Sequence, residues 1–187
     1  MTLPVWLDVT EKAAGDFRGE LPMRPDAERT ISAEALVTAD AYATRLKSLS
    51  LLVWRAAAIE FETYRDGRGP DDVSETYSMA KSMLGLAIGS VDDAVARYLR
   101  VWRGTAKETL TIRQRLLAAL ERATGQRYAD FVSARHWKPL GARDATLWLD
   151  RPKGTPRAFS YFVARPRDWL RLGVMIAGQG RFNERNF

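Results

Sequence analysis

The chain has no cysteine at all, and His136 is its one histidine. Without thiols there can be no disulfide, no zinc–thiolate site and no cysteine nucleophile. Any metal site would draw nearly all its ligands from carboxylates, a donor set that suits magnesium or manganese better than zinc. Long hydrophobic runs are missing too. The most apolar stretch, Leu49 to Ile59, is interrupted by Arg55 and is too short to span a bilayer. The opening residues carry no basic segment followed by an apolar core, which predicts no signal peptide and a cytoplasmic location. A Gly-rich phosphate loop, a G-x-S-x-G elbow and a dinucleotide fingerprint are absent as well.

What is present is a globular composition with charge divided along the chain. Of the 187 residues, 46% are hydrophobic and 28% charged, enough apolar material for a real core. Residues 1–96 carry 10 Lys/Arg against 16 Asp/Glu, whereas residues 97–187 carry 19 against 7, a net of +12. A half-chain of that charge attracts polyanions through phosphate contacts and counterion release. Arginine-rich genome composition is the plain alternative explanation.

Periodicity predicts a mainly α protein: a helical bundle around one long helix, with a small C-terminal β-hairpin and a closing helix. Residues 1–30, with three prolines, read as an extended arm pinned by Trp6 and Phe17. From Ser32 as N-cap, the residues Leu36, Ala39, Ala43, Leu46, Leu49, Val53 and Ala56 make one apolar stripe that no Gly or Pro breaks before Gly67. Further helices are expected from about Asp72 to Ile88, Val91 to Arg103, Lys107 to Ala123 and Arg127 to Trp137, completing a bundle over 31–140. In 141–187 the β-branched and aromatic segments Thr146–Leu149 and Ala158–Val163 flank a turn-forming loop and predict the hairpin. A helix from Pro166 to about Ala177 and a mobile tail follow.

The candidate binding residues are basic. Arg97, Arg100 and Arg103 recur every three residues on one arc of a predicted helix, interleaved with Tyr98 and Trp102. Arg113, Arg115, Arg122, Arg127, Arg135 and Lys138 extend that surface, with Glu108, Glu121 and Asp130 the only acids between 104 and 142. Arg151, Lys153 and Arg157 surround the hairpin loop, as on a ribbon that enters a groove. Solvation alone would account for all three clusters equally. The acidic pairs Asp71-Asp72 and Asp92-Asp93 fall at predicted helix starts, where capping explains them, so no metal, cofactor or catalytic residue is expected. His136, beside Arg135 and Lys138, lacks an acid partner for general acid–base work.

These observations predict a non-enzymatic, nucleic-acid-binding subunit of a larger bacterial nucleoprotein assembly, contacting RNA or DNA backbone without sequence specificity. Its acidic N-terminal half would meet protein subunits, and no membrane is implied. In size, helicity and basic character the chain is similar in type to the small helical subunits of multi-subunit CRISPR effector complexes. Two alternatives stay open: a DNA-binding regulator or accessory protein of a plasmid or phage, and a protein adaptor or virion component with no nucleic-acid role.

Overall fold

The computed structural model describes residues 9–89 and 112–187. The chain forms two compact units, each assembled from separated segments: Met1–Phe17 with Glu75–Ala164, and Arg18–Ser74 with Arg165–Phe187.

The first unit is built on a four-stranded sheet with strands β1 (Thr10–Ala13), β4 (Ser74–Glu75), β5 (Ala145–Trp148) and β6 (Phe162–Ala164) in the order β1-β5-β6-β4. β5 runs antiparallel to both neighbours, pairing Thr10 with Trp148 on one side and Leu147 with Phe162 on the other. Side chains alternate along a strand, so Ala145, Leu147, Phe162 and Ala164 turn into the core while Thr146, Trp148 and Val163 line the opposite face, half-exposed. Helix α2 (Ala80–Gly89) buries Ala80, Met83, Leu84 and Ala87, one stripe at steps of three and four. Fully burying Met83 and Leu84 contributes roughly 1.5–3 kcal/mol each. Helix α3 (Ile112–Thr124) stops at Gly125, whose φ of +68° few other residues adopt cheaply. Helix α4 (Tyr128–Val132) continues as a π-helical turn, Ser133–Trp137. That turn buries Trp137 edge-on to Phe162, with ring centroids 4.9 Å apart.

The second unit contains helix α1 (Ala33–Arg45), strands β2 (Ser50–Arg55) and β3 (Ala58–Tyr64), helix α5 (Pro166–Ala177), and the short strands β7 (Arg181–Phe182) and β8 (Arg185–Asn186). Ser32 caps α1 by accepting a hydrogen bond from the Ala35 N–H at 3.2 Å. β2 and β3 form an antiparallel hairpin across Ala56-Ala57, both at positive φ, with a bulge between Val53 and Trp54. α5 packs on β2, and its buried residues include Trp169, Leu172 and Met175. Inside the same unit Asp168 is fully buried between Arg165 and Arg171. Glu60, also fully buried, pairs with Arg24 at 2.7 Å and accepts from the N–H and hydroxyl of Thr30.

The fold is therefore α/β and not a helical bundle. The expected long helix does not exist: α1 ends at Arg45, Lys47 takes a positive φ, and the rest of the apolar stripe is the β2–β3 hairpin. The segment read as an extended arm contributes β1 to the sheet, and the tail read as mobile forms the β7–β8 hairpin with Phe182 buried. Of the predicted hairpin, Thr146–Leu149 largely coincides with β5, but only Phe162 and Val163 of the second segment fall in β6, and both strands lie inside the larger sheet rather than in a free ribbon. The helix expected over Val91 to Arg103 lies outside the described residues.

Candidate active site

Among the described residues, a lysine–serine pair lies where the chain enters α2. A single 3-10 turn, Tyr77–Met79, runs directly into the helix and places Ser78 on the surface. Ser78 and Lys81 are three residues apart, a spacing that puts both side chains on one face of a helical segment. Lys81 Nζ donates to Ser78 Oγ at 2.7 Å and to the Phe159 carbonyl at 3.0 Å. Two residues before the serine, Thr76 Oγ1 donates to the Phe162 carbonyl at 2.7 Å. The segment 159–162 is thus tied to the serine turn at both ends. Tyr77 has φ +41°, an uncommon conformation for a bulky residue, and its placement beside a reactive group is typical of local backbone strain.

Tyr77, the first residue of this turn, begins a row of three aromatic rings. The Tyr77 and Tyr161 centroids are 6.4 Å apart, Tyr161 is stacked on Trp148 at 5.4 Å, and the Arg157 guanidinium lies 5.6 Å from the Tyr161 ring centre. The buried stripe of α2 faces the core, which fixes the helix and, with it, the direction in which Ser78 and Lys81 project.

The basic residues expected to bind polyanions do not converge on this turn as a set. Arg97, Arg100 and Arg103 lie outside the described residues. Arg113 and Arg115 fall in the first turn of α3, and Arg122 is exposed in its last turn. Arg127 is structural: it holds Glu11 through two nitrogens at 3.2 and 2.9 Å, donates to the Gly154 carbonyl at 2.7 Å and pairs with Glu121 at 3.4 Å. Arg135 is exposed over the Phe131 ring, and Lys138 is exposed. Arg151 and Lys153 are exposed on the β5–β6 connection, whereas Arg157 is half-buried beside Tyr161. His136 is buried, and desolvation followed by the charge of Arg135 pushes its imidazole down to about 4. Asp71 pairs with Arg165 at 2.9 Å, and Asp72 accepts from the Gly69 N–H, so neither caps α2 as the sequence suggested. Asp92 and Asp93 lie outside the described residues. Among the described residues, no three His, Asp or Glu side chains are grouped to hold a metal ion.

Ser78-Met79-Ala80-Lys81 is the residue set that sequence reading missed. Its pattern, S-x-x-K at the start of an apolar helical stripe, is the nucleophile signature of β-lactamases and penicillin-binding proteins. The S-D-N and K-T-G motifs that accompany it in those enzymes do not occur in this sequence.

The serine and lysine sit on an α/β scaffold, and comparison with solved structures shows where that scaffold recurs. The structure superimposes on a protein assigned as a 6-aminohexanoate-dimer hydrolase from Bacillus anthracis with a TM-score of 0.68 and 13% identity, over 95% of this chain and 68% of that one. It superimposes on a protein assigned as a β-lactamase from Bacteroides dorei DSM 17855 with a TM-score of 0.65 and 17% identity, over 84% and 67% of the two chains. No protein-family model and no curated protein matches the sequence. The fold is thus shared with these two proteins. That finding overturns the expectation of a non-enzymatic helical subunit of a nucleoprotein assembly, and with it the reading of the chain as a nucleic-acid-binding bundle. Among the described residues no helix is long and apolar enough to cross a membrane.

Proposed function

We propose that this chain is a serine hydrolase that cleaves an ester or amide bond through an acyl-enzyme on Ser78, with Lys81 as the general base. The observation that carries the reading is the 2.7 Å contact between Lys81 Nζ and Ser78 Oγ at the exposed start of α2. It is supported by the fold, shared with two proteins whose names denote hydrolases, one of a 6-aminohexanoate dimer and one of β-lactams.

Lys81 in its amine form takes the Ser78 hydroxyl proton as Oγ bonds to the substrate carbonyl carbon. The carbonyl π pair moves onto oxygen and gives a tetrahedral oxyanion. Ser78 lies at the N-terminal end of a helical segment, where the helix dipole favours that developing negative charge. When the oxyanion collapses, the bond to the leaving oxygen or nitrogen breaks, and the leaving group receives the proton held by Lys81. Water then attacks the acyl-serine ester, gives its proton to Lys81 and releases the acid, and Ser78 Oγ recovers that proton. The Phe159 carbonyl holds Lys81 against the serine between these transfers.

The test is labelling with a fluorophosphonate followed by intact-protein mass spectrometry, alongside hydrolysis of a p-nitrophenyl ester and of a chromogenic β-lactam. One adduct is expected, on Ser78, and none in Ser78→Ala. Lys81→Ala should lower kcat by about 10²–10⁴-fold. Hydrolysis at full rate by Ser78→Ala, or labelling at another residue, would defeat the assignment.

A further inference from the structure

We infer that Tyr77 is the specificity residue of this site, its ring forming with Tyr161 an aromatic wall that receives an acyl group bearing a flat aromatic ring on the ester or amide substrate. The inference rests on Ser78 being the nucleophile and names the substrate class for that centre.

Tyr77 adjoins Ser78 in the chain and is 64% exposed, so core packing does not account for a large aromatic side chain there. Its backbone is fixed by the 3-10 turn, in which the Met79 N–H donates to the Thr76 carbonyl at 2.9 Å. The wall behind it is equally fixed. Tyr161 lies 6.4 Å from Tyr77, tilted at 50°, and is itself stacked on Trp148 with an interplanar angle of 24°. Thr76 and Lys81 hold the Tyr161 segment from either side of the serine. A surface so ordered loses little conformational entropy when a ligand lies on it. The ring adjoins the residue whose Oγ attacks the carbonyl, so the group it meets is bonded to that carbonyl. Aromatic rings prefer tilted or offset contact with another ring, which adds to the gain from apolar burial alone. An acyl group that carries a flat aromatic ring, such as phenylacetyl, fits this surface better than acetyl.

The experiment compares p-nitrophenyl phenylacetate with p-nitrophenyl acetate, which share a leaving group, each rate being divided by that of uncatalysed hydrolysis. The wild type should favour the phenylacetyl ester in kcat/KM. Tyr77→Ala should lower that preference on the order of tenfold, and Tyr77→Phe should keep it. Tyr161→Ala should lower it through loss of the supporting ring, while Tyr42→Ala, an exposed tyrosine of the other unit, should not change it. Inhibition of the wild type alone gives an independent reading: benzylboronic acid should bind more tightly than methylboronic acid. Equal preference for the two esters, equal inhibition by the two boronic acids, or an unchanged ratio in Tyr77→Ala while hydrolysis still depends on Ser78 would overturn the inference and leave the nucleophile standing. Full activity of Ser78→Ala on both esters would instead remove the nucleophile and the inference together.

Discussion

A bulky side chain held at positive φ costs of order 1–3 kcal/mol, and the surrounding contacts must compensate for it. At Tyr77 those contacts are the two side-chain hydrogen bonds from Thr76 and Lys81 to the backbone of segment 159–162, so the groups that set the strain also set the position of Ser78. His136 shows a different use of burial. Desolvation first, and then the nearby Arg135 charge, lower its pKa from 6.5 to about 4. In the unfolded chain the imidazole protonates near 6.5, so between about 6.5 and 4 the unfolded state binds more protons than the native state. The neutral buried form therefore contributes stability that is fully present above about pH 6.5 and is lost as the pH falls towards 4, by about 3 kcal/mol in all. Urea midpoints measured at pH 7, 5.5 and 4.5 should fall in the wild type and fall much less in His136→Gln. Equal slopes in the two proteins would show that other groups govern the acid transition.

At the scale of elements, the β2–β3 hairpin is the most instructive. Two-residue hairpin turns with both central residues at positive φ are normally occupied by Asn-Gly or Asp-Gly, because an L residue with a Cβ is strained there. Here the positions are Ala56, at φ 47°, and Ala57, at φ 64°, both exposed. Replacing them with Asn and Gly should stabilise the protein by about 1 kcal/mol, read as a higher urea midpoint with an unchanged slope. A loss of stability would mean that the alanine side chains make contacts that outweigh the strain. The same turn explains why the hairpin was not legible. Ala56-Ala57-Ala58 is a strongly helix-forming run, and apolar residues at steps of three and four continue through it, so propensity and periodicity both pointed to helix. The buried Glu60 also breaks the apolar-in, polar-out alternation by which a strand is recognised. Signals with a local mechanism were readable: the Ser32 cap, the stop at Gly125, and Pro166 in the first turn of α5. The Ser78–Lys81 pattern was visible too, but four residues with two fixed identities occur often by chance. What gives it weight is the 2.7 Å contact and the fold around it.

For the whole molecule, the formal +12 of residues 97–187 overstates the positive surface, because several of those arginines act inside the units. Arg127 binds Glu11 and Glu121, Arg167 pairs with Glu62 and Glu20, and Arg165 is 3% exposed among Asp168, Glu20 and Asp71. The acidic first half and the basic second half of the sequence are thus partly complementary within the fold. The consequence is sharpest at Asp168, a fully buried carboxylate contacted by Arg165 at 2.9 Å and Arg171 at 3.5 Å. Removing one partner of a buried ion pair leaves a charge that can neither hydrate nor pair well, at a cost of about 3–5 kcal/mol. Arg165 keeps Glu20 and Asp71, which places Asp168→Asn near the lower end, about 3 kcal/mol. The exposed pair Asp26–Arg29 is the comparison: Asp26 is 84% exposed, and Asp26→Asn should change stability by less than about 0.5 kcal/mol. Combining Asp168→Asn with Arg171→Met removes one of the stranded cations and should recover part of the loss. Urea melts of the three variants decide the matter. If Asp168→Asn costs no more than Asp26→Asn, the buried network contributes nothing that solvent could not supply. If Arg171→Met deepens the loss instead of relieving it, the contact from Arg171 to the Gly19 carbonyl outweighs the repulsion between Arg171 and Arg165.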